Sequence, residues 1–284
     1  MQDNTKRDIE HEPLNDSMQA QQGTTDDTDP EGILCKARRA RLGITAVVVA
    51  AAICGGLITT GCSSNRYVQV SSAKSKIQQE VSELLSGIPQ NGNTLGQPTA
   101  PVTLQIFGDL ECVDVRTFSL LILPWIIRDF VRSNVLKIQY RSLETDTLHP
   151  QVFLIQQAAA LAAGRQDKMW NFVEIFYHEQ GQEYTNYVTE KYLQDIASQI
   201  PRLDLTQWDS NRNEIDLAKK AATDNNTARA LGFHDTPSFL IGRTGEKMTK
   251  LFGYQIMELT GRRLRHPESL VDVTLLREAI ERLV

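Results

Sequence analysis

From its amino end the chain runs through a polar stretch and then an apolar one before it takes on the patterns of a folded domain. Residues 1–34 hold few apolar side chains and many acidic ones, which predicts a disordered tail. Leu42 to Thr60 carries no charge; as a helix it would be about 28 Å long at about 1.5 Å per residue, enough to cross a bilayer core. Ile77, Val81, Leu84, Leu85 and Ile88 then recur at helical spacing until Gly87, Pro89 and Asn91-Gly92-Asn93 stop them, predicting a stalk helix from Ser71 to Ile88 and a turn. The folded pattern begins near Leu95. Val102 to Phe107 is a short apolar run between Pro101 and Gly108, as expected of a buried strand. Arg116 to Arg132 reads as one long apolar helix kinked at Pro124, and Leu136 to Tyr140 as a second strand, giving a βαβ unit, right-handed by default.

From Pro150 to Gly232 strand patterns vanish. Ala158 to Ala163, Trp170 to His178 and Glu190 to Ile200 read as helices of an all-helical insertion, and Trp125, Trp170, Trp208 and Phe172 as core aromatics. Strands return at Ser238 to Ile241 and Lys247 to Phe252, joined as a hairpin across Gly242-Arg243-Thr244-Gly245. Leu270 to Val284 closes the chain as an amphipathic helix with Leu275, Leu276, Ile280 and Leu283 on its apolar face. The order βαβ, helical insertion, ββα defines an α/β domain.

Charge adds topology to this picture. Lys36, Arg38, Arg39 and Arg41 precede the uncharged segment and only Arg66 and Lys74 follow it closely, so the positive-inside rule places the N-terminus in the cytoplasm. The expected organisation is a cytoplasmic tail over 1–41, a single transmembrane helix over 42–60, a stalk and linker over 61–94, and an extracytoplasmic domain over 95–284 with its insertion at 149–232. The alternative is a cleaved leader, since Thr59-Thr60-Gly61-Cys62 resembles a bacterial lipoprotein box with Cys62 as the lipidated residue. Either route tethers the domain outside the membrane. The balance of 30 Lys+Arg against 35 Asp+Glu, net charge -5, argues against nucleic acid as a partner. Four cysteines without a C-x-x-C pair or zinc-type spacing predict no disulfide scaffold and no structural zinc site; the expectation is no metal and no cofactor.

Five blocks carry a family resemblance. They are Leu95-Gly96-Gln97-Pro98-Thr99-Ala100-Pro101-Val102-Thr103-Leu104, Phe107-Gly108-Asp109-Leu110-Glu111-Cys112, Arg116-Thr117-Phe118 with Leu123-Pro124, His149-Pro150 through Ala158-Ala159-Ala160 to Gln166-Asp167-Lys168-Met169-Trp170, and Gly232-Phe233-His234-Asp235-Thr236-Pro237-Ser238-Phe239-Leu240-Ile241-Gly242. In this order they resemble the DsbA/BdbD-type thioredoxin-fold proteins, the membrane-tethered thiol-disulfide oxidoreductases of bacteria. The resemblance implies a thioredoxin fold with a helical insertion, Cys112 as catalytic nucleophile, Val113, Asp114, Val115 and Arg116 as the rest of the active-site motif, and a cis Pro237 that with Thr236 docks a substrate peptide. Its implied partners are extracytoplasmic cysteine-containing proteins or peptides and a membrane redox partner.

The departure is chemical. Where the family has C-P-x-C, this chain has Cys112-Val113-Asp114-Val115, so the resolving thiol is replaced by Val115; the position of the buried acid that many thioredoxins place six residues earlier is Ile106. A cysteine at a helix N-terminus meets unsatisfied N–H groups that favour thiolate, and Arg116 would help, whereas Asp109, Glu111 and Asp114 oppose a further negative charge. His234 is a candidate contact through its nearness to Thr236, while His149 and His178 read as surface or capping residues. Three functions stay open: thiol-disulfide exchange through one cysteine, a redox-inactive peptide-binding module, and a glutathione- or peroxide-linked monothiol activity.

Overall fold

The computed structural model describes residues 64–251 and 273–284. The tail over 1–41 and the expected span over 42–60 lie outside the described residues; among the described residues no helix is long and apolar enough to cross a membrane.

A central strand organises the domain. β3 (Val102–Gly108) is buried along almost its whole length, as the run of Val102, Leu104, Ile106 and Phe107 predicts. It pairs in parallel with β4 (Leu136–Ser142), Leu104 opposite Ile138, and antiparallel with β5 (Ser238–Arg243), Leu104 opposite Ile241. β1 (Gln90–Asn91) and β2 (Thr94–Leu95) form a small hairpin that extends the sheet beyond β4, and β6 (Thr249–Leu251) extends it beyond β5, in the order β1-β2-β4-β3-β5-β6. The sequence pattern misses the first hairpin and reads Asn91-Gly92-Asn93 only as a turn, because strands two residues long show no periodicity.

Two helical expectations are corrected. The stalk is α1 (Ser64–Leu85), and its end belongs to the folded body: Val81 and Leu85 are buried, and Arg132 caps it by donating to the carbonyls of Ser86 (2.9 Å), Leu84 (2.9 Å) and Glu83 (3.3 Å). The helix expected from Arg116 to Arg132 begins earlier and is broken: α2 spans Val113–Leu121, α3 Leu123–Ile126, and Ile127–Val131 is a π-helical turn. Pro124 lacks an N–H and occupies the first turn of α3, so it starts a new segment instead of kinking one helix.

Between β4 and β5 the chain is wholly helical among its regular elements: α4 (Pro150–Gly164), α5 (Met169–Glu179), α6 (Glu190–Ala197), α7 (Leu205–Arg212) and α8 (Ile215–Ala230). Ala158, Ala159, Ala160, Ala162 and Ala163 are buried and let α5, α7 and α8 pack closely on α4. Trp170 and Trp208 are core residues whose indole N–H groups donate to the carbonyls of Asn93 (3.2 Å) and Ala159 (2.9 Å). At the carboxyl end, α9 (Val273–Glu281) buries Leu276 and Ile280, and Arg277 lies over the Trp125 ring while pairing with Asp129 at 3.0 Å.

Candidate functional site

Cys112 is the N-cap of α2 and is 2% exposed; it is the one cysteine among the described residues and forms no disulfide there. Its backbone N–H donates to the Asp109 carbonyl (3.2 Å), and its own carbonyl accepts the first helical bond from Arg116 N–H (3.1 Å). The Cys112 Sγ lies 3.5 Å from the Thr236 carbonyl oxygen, to which it donates, and the Thr236–Pro237 peptide bond is cis. Residues 124 positions apart in sequence thus meet at one end of the sheet.

Val115 is buried and fills the position where a resolving thiol would stand, close enough that a Cβ added to Gly108 would lie 3.2 Å from its Cγ1 and 3.1 Å from the Tyr140 hydroxyl. Arg116 is engaged elsewhere, its Nε donating to the Tyr177 carbonyl (2.8 Å). Of the opposing influences expected on the sulfur, those against thiolate prevail: burial and, next, the charge of Asp146, not of Asp109, Glu111 or Asp114, push the Cys112 thiol well above its ordinary range, although the Val115 N–H still favours thiolate. Val113 N–H, one of the donors a thiolate would compete for, instead donates to Glu183 Oε1 at 2.7 Å. Asp114 is buried in the first turn of α2. His234 is exposed and sits against Arg229 (3.4 Å); His149 is the N-cap residue of α4, and burial lowers the affinity of half-buried His178 for a proton.

Beneath the cysteine loop, Asp109 is 0% exposed and accepts from the N–H groups of Glu111 (3.0 Å), Thr145 (2.9 Å), Asp146 (3.0 Å) and Thr147 (3.0 Å) and from the Thr147 hydroxyl (2.6 Å). It ties the β3–α2 turn to the β4–α4 loop. Burial, with the neighbouring Asp109 charge, raises the Glu111 carboxyl to about 7. Over the cysteine loop lies the α5–α6 connection, where Gln180 Nε2 donates to the carbonyls of Leu110 (2.8 Å) and Cys112 (3.0 Å) and the Tyr184 hydroxyl to Asp146 Oδ1 (2.5 Å). Gly181 makes this close fit possible, since a Cβ there would come within 2.6 Å of the Tyr187 ring.

Sequence reading identified Cys112, the motif positions Val113 to Arg116, and Thr236-Pro237, and the fold brings Cys112 and Thr236 into contact. It missed Asp146, Gln180, Glu183 and Tyr184. The one local signal was Thr145-Asp146-Thr147, a cluster of turn-forming residues just after β4.

A family model described as Thioredoxin matches residues 90–251. The chain is 26% identical over 151 residues to a protein of Bacillus cereus named probable disulfide bond formation protein D, covering 52% of this chain and 68% of that one. Its structure is similar to that of oxidised BdbD from Bacillus subtilis (TM-score 0.53, 21% identity, covering 70% of this chain and 97% of that one). It is similar too to that of Wolbachia pipientis alpha-DsbA1 (TM-score 0.51, 18% identity, covering 70% and 92%).

Proposed function

The chain belongs to the thioredoxin family, and we propose that it acts in protein thiol-disulfide exchange outside the cytoplasm, tethered through Leu42 to Thr60, with Cys112 as its sole reacting sulfur. The observation that carries this reading is the 3.5 Å approach of the Cys112 sulfur to the Thr236 carbonyl beside the cis bond at Pro237. An extended peptide laid against that loop would present its disulfide to the thiol. Deprotonated Cys112 attacks one substrate sulfur; a new S–S bond forms, the substrate S–S bond breaks, and the departing sulfur leaves as thiolate and takes up a proton. Val115 offers no second thiol, so release requires attack by a thiol of the substrate or of a separate reductant.

The full chain supplied with a reactive disulfide peptide should therefore accumulate adducts on non-reducing gels. These should collapse with reductant, vanish in Cys112→Ser and clear faster in Val115→Cys. If acid-quenched samples show no Cys112-dependent adduct, exchange is refuted.

A second reading, a peptide-binding module without turnover, is favoured by the burial of Cys112 and by the forces that hold its thiol protonated. Peptide binding that survives Cys112→Ser, together with absent adducts, would select it.

A further inference from the structure

We propose that Cys112, Asp146 and Glu183 form a binding site for a divalent cation of the zinc class. The donors come from three elements, the N-cap of α2, the β4–α4 loop and the α5–α6 loop, and one ligating atom of each lies within 4.8 Å of the other two. Tetrahedral donors around zinc stand roughly 3.5 Å apart, so small side-chain rotations close the set.

Two further observations point to a cation. The carboxylates are already oriented: Glu183 Oε1 accepts from Val113 N–H (2.7 Å), and Asp146 accepts from the Tyr184 hydroxyl (2.5 Å) at Oδ1 and from the Thr145 hydroxyl (3.1 Å) at Oδ2. Hydrogen-bonded outer partners of this kind orient and tune metal ligands. The donors also face a common cavity of about 180 Å³ lined additionally by His234, Asp114 and Asp235, and among the described residues no lysine or arginine lines it. One thiol with carboxylates and an imidazole at the rim suits a borderline-soft ion better than calcium or magnesium, which take oxygen alone. Binding forms a metal–sulfur bond as the thiol proton leaves to solvent. The ion would mask the sulfur, yet the site does not rest on thiol exchange, because it needs only the three donors.

The test uses the full chain in detergent, reduced, with Cys35, Cys54 and Cys62 replaced by serine. Titration with cobalt should raise a thiolate-to-cobalt charge-transfer band in the near ultraviolet that zinc abolishes. Cys112→Ser should eliminate the band, Asp146→Asn and Glu183→Gln should each weaken zinc binding at least tenfold, and Tyr184→Phe should weaken it about tenfold. Zinc should also protect Cys112 from alkylation until a chelator is added. The proposal is overturned if no band forms, or if zinc affinity is unchanged in the Asp146→Asn, Glu183→Gln double variant, which would mean that the sulfur binds metal without a built site. Adduct formation without zinc reads exchange separately, so either idea can fail while the other stands.

Discussion

Two carboxylates are buried to nearly the same degree in this domain and are treated in opposite ways. Asp109, 0% exposed at the end of β3, has its two oxygens filled by the four backbone N–H groups and one hydroxyl that join the cysteine turn to the β4–α4 loop. Glu174, 1% exposed between α5 and α2, accepts one bond from the Ser119 hydroxyl (2.5 Å) at Oε1, and its Oε2 has no hydrogen-bond partner. Burial raises the Glu174 carboxyl to about 8. Burial depth alone therefore does not set the role of an acid here; the number of donors aimed at it does. The first acid builds the floor of the candidate site. The second is a neutral hydrogen-bonding group in the helix interface over most of the ordinary pH range.

The largest break in this contrast is Asp109→Asn. The amide replaces one acceptor oxygen by a donor that faces N–H groups, leaving several of them unsatisfied and buried. Hydrogen bonds to a charged group are worth about 1.5–3 kcal/mol each and do not add fully, so the expected loss is about 4 kcal/mol. Urea unfolding of the full chain at unchanged slope measures it. A loss below about 1 kcal/mol would mean that the loops hold their positions without the carboxylate.

How much of this was legible beforehand divides along the same line. β3 and Cys112 could be read because a buried strand and the turn after it are local, contiguous features, and Thr236-Pro237 because the motif sits next to its own strand. The partners of Asp109 on the β4–α4 loop could not be, since they lie 36 to 38 residues away on a loop with no periodicity. Glu183 and Gln180 are more distant still, at about 70 residues from what they bind. The break at Pro124 was visible as a perturbation but not as a segment boundary, because whether a proline bends or restarts a helix depends on packing around it. The burial of Val81 and Leu85 in α1 was readable from its pattern, but the cap that Arg132 places on its last carbonyls was not.

A second, intermediate effect is read from Glu174 through pH. Glu174 keeps its proton to about 8 in the folded state, whereas in the unfolded chain it releases it near the ordinary 4.5. Between these values the unfolded state binds fewer protons, so stability falls as pH rises through that window; below about 4.5 both states are protonated and the group contributes no slope. Glu111, raised to about 7, acts in the same direction over a narrower range. Glu174→Gln keeps an acceptor for Ser119 and removes only the titration. Its stability should be close to the parent's at pH 4.5 and exceed it at pH 8 by on the order of 4 kcal/mol, since each pH unit over which only the folded state holds the proton costs at most about 1.36 kcal/mol. Parallel stability curves for parent and variant across that range would show Glu174 to be ionised in the fold.

The smallest effect tests whether the floor under the cysteine owes its rigidity to charge or to neutral hydrogen bonds. The Tyr177 hydroxyl donates to the Asp109 main-chain carbonyl (3.4 Å) and meets the Tyr140 hydroxyl (3.3 Å), so the aspartate is also held through its backbone. Both distances are long and both groups are uncharged, conditions under which a bond contributes about 1 kcal/mol or less. Tyr177→Phe keeps the buried ring and removes both bonds, and Tyr140→Phe removes the bond between the hydroxyls together with the Gln157 contact of that oxygen. The expected order is Asp109→Asn well above Tyr177→Phe, with Tyr140→Phe smallest. Because the Tyr140–Tyr177 bond is lost in either single variant, the double variant should cost less than the sum of the two. Strict additivity would show that the hydroxyls act independently. A Tyr177→Phe loss as large as that of Asp109→Asn would move the anchoring of the turn from the carboxylate to the main-chain carbonyl.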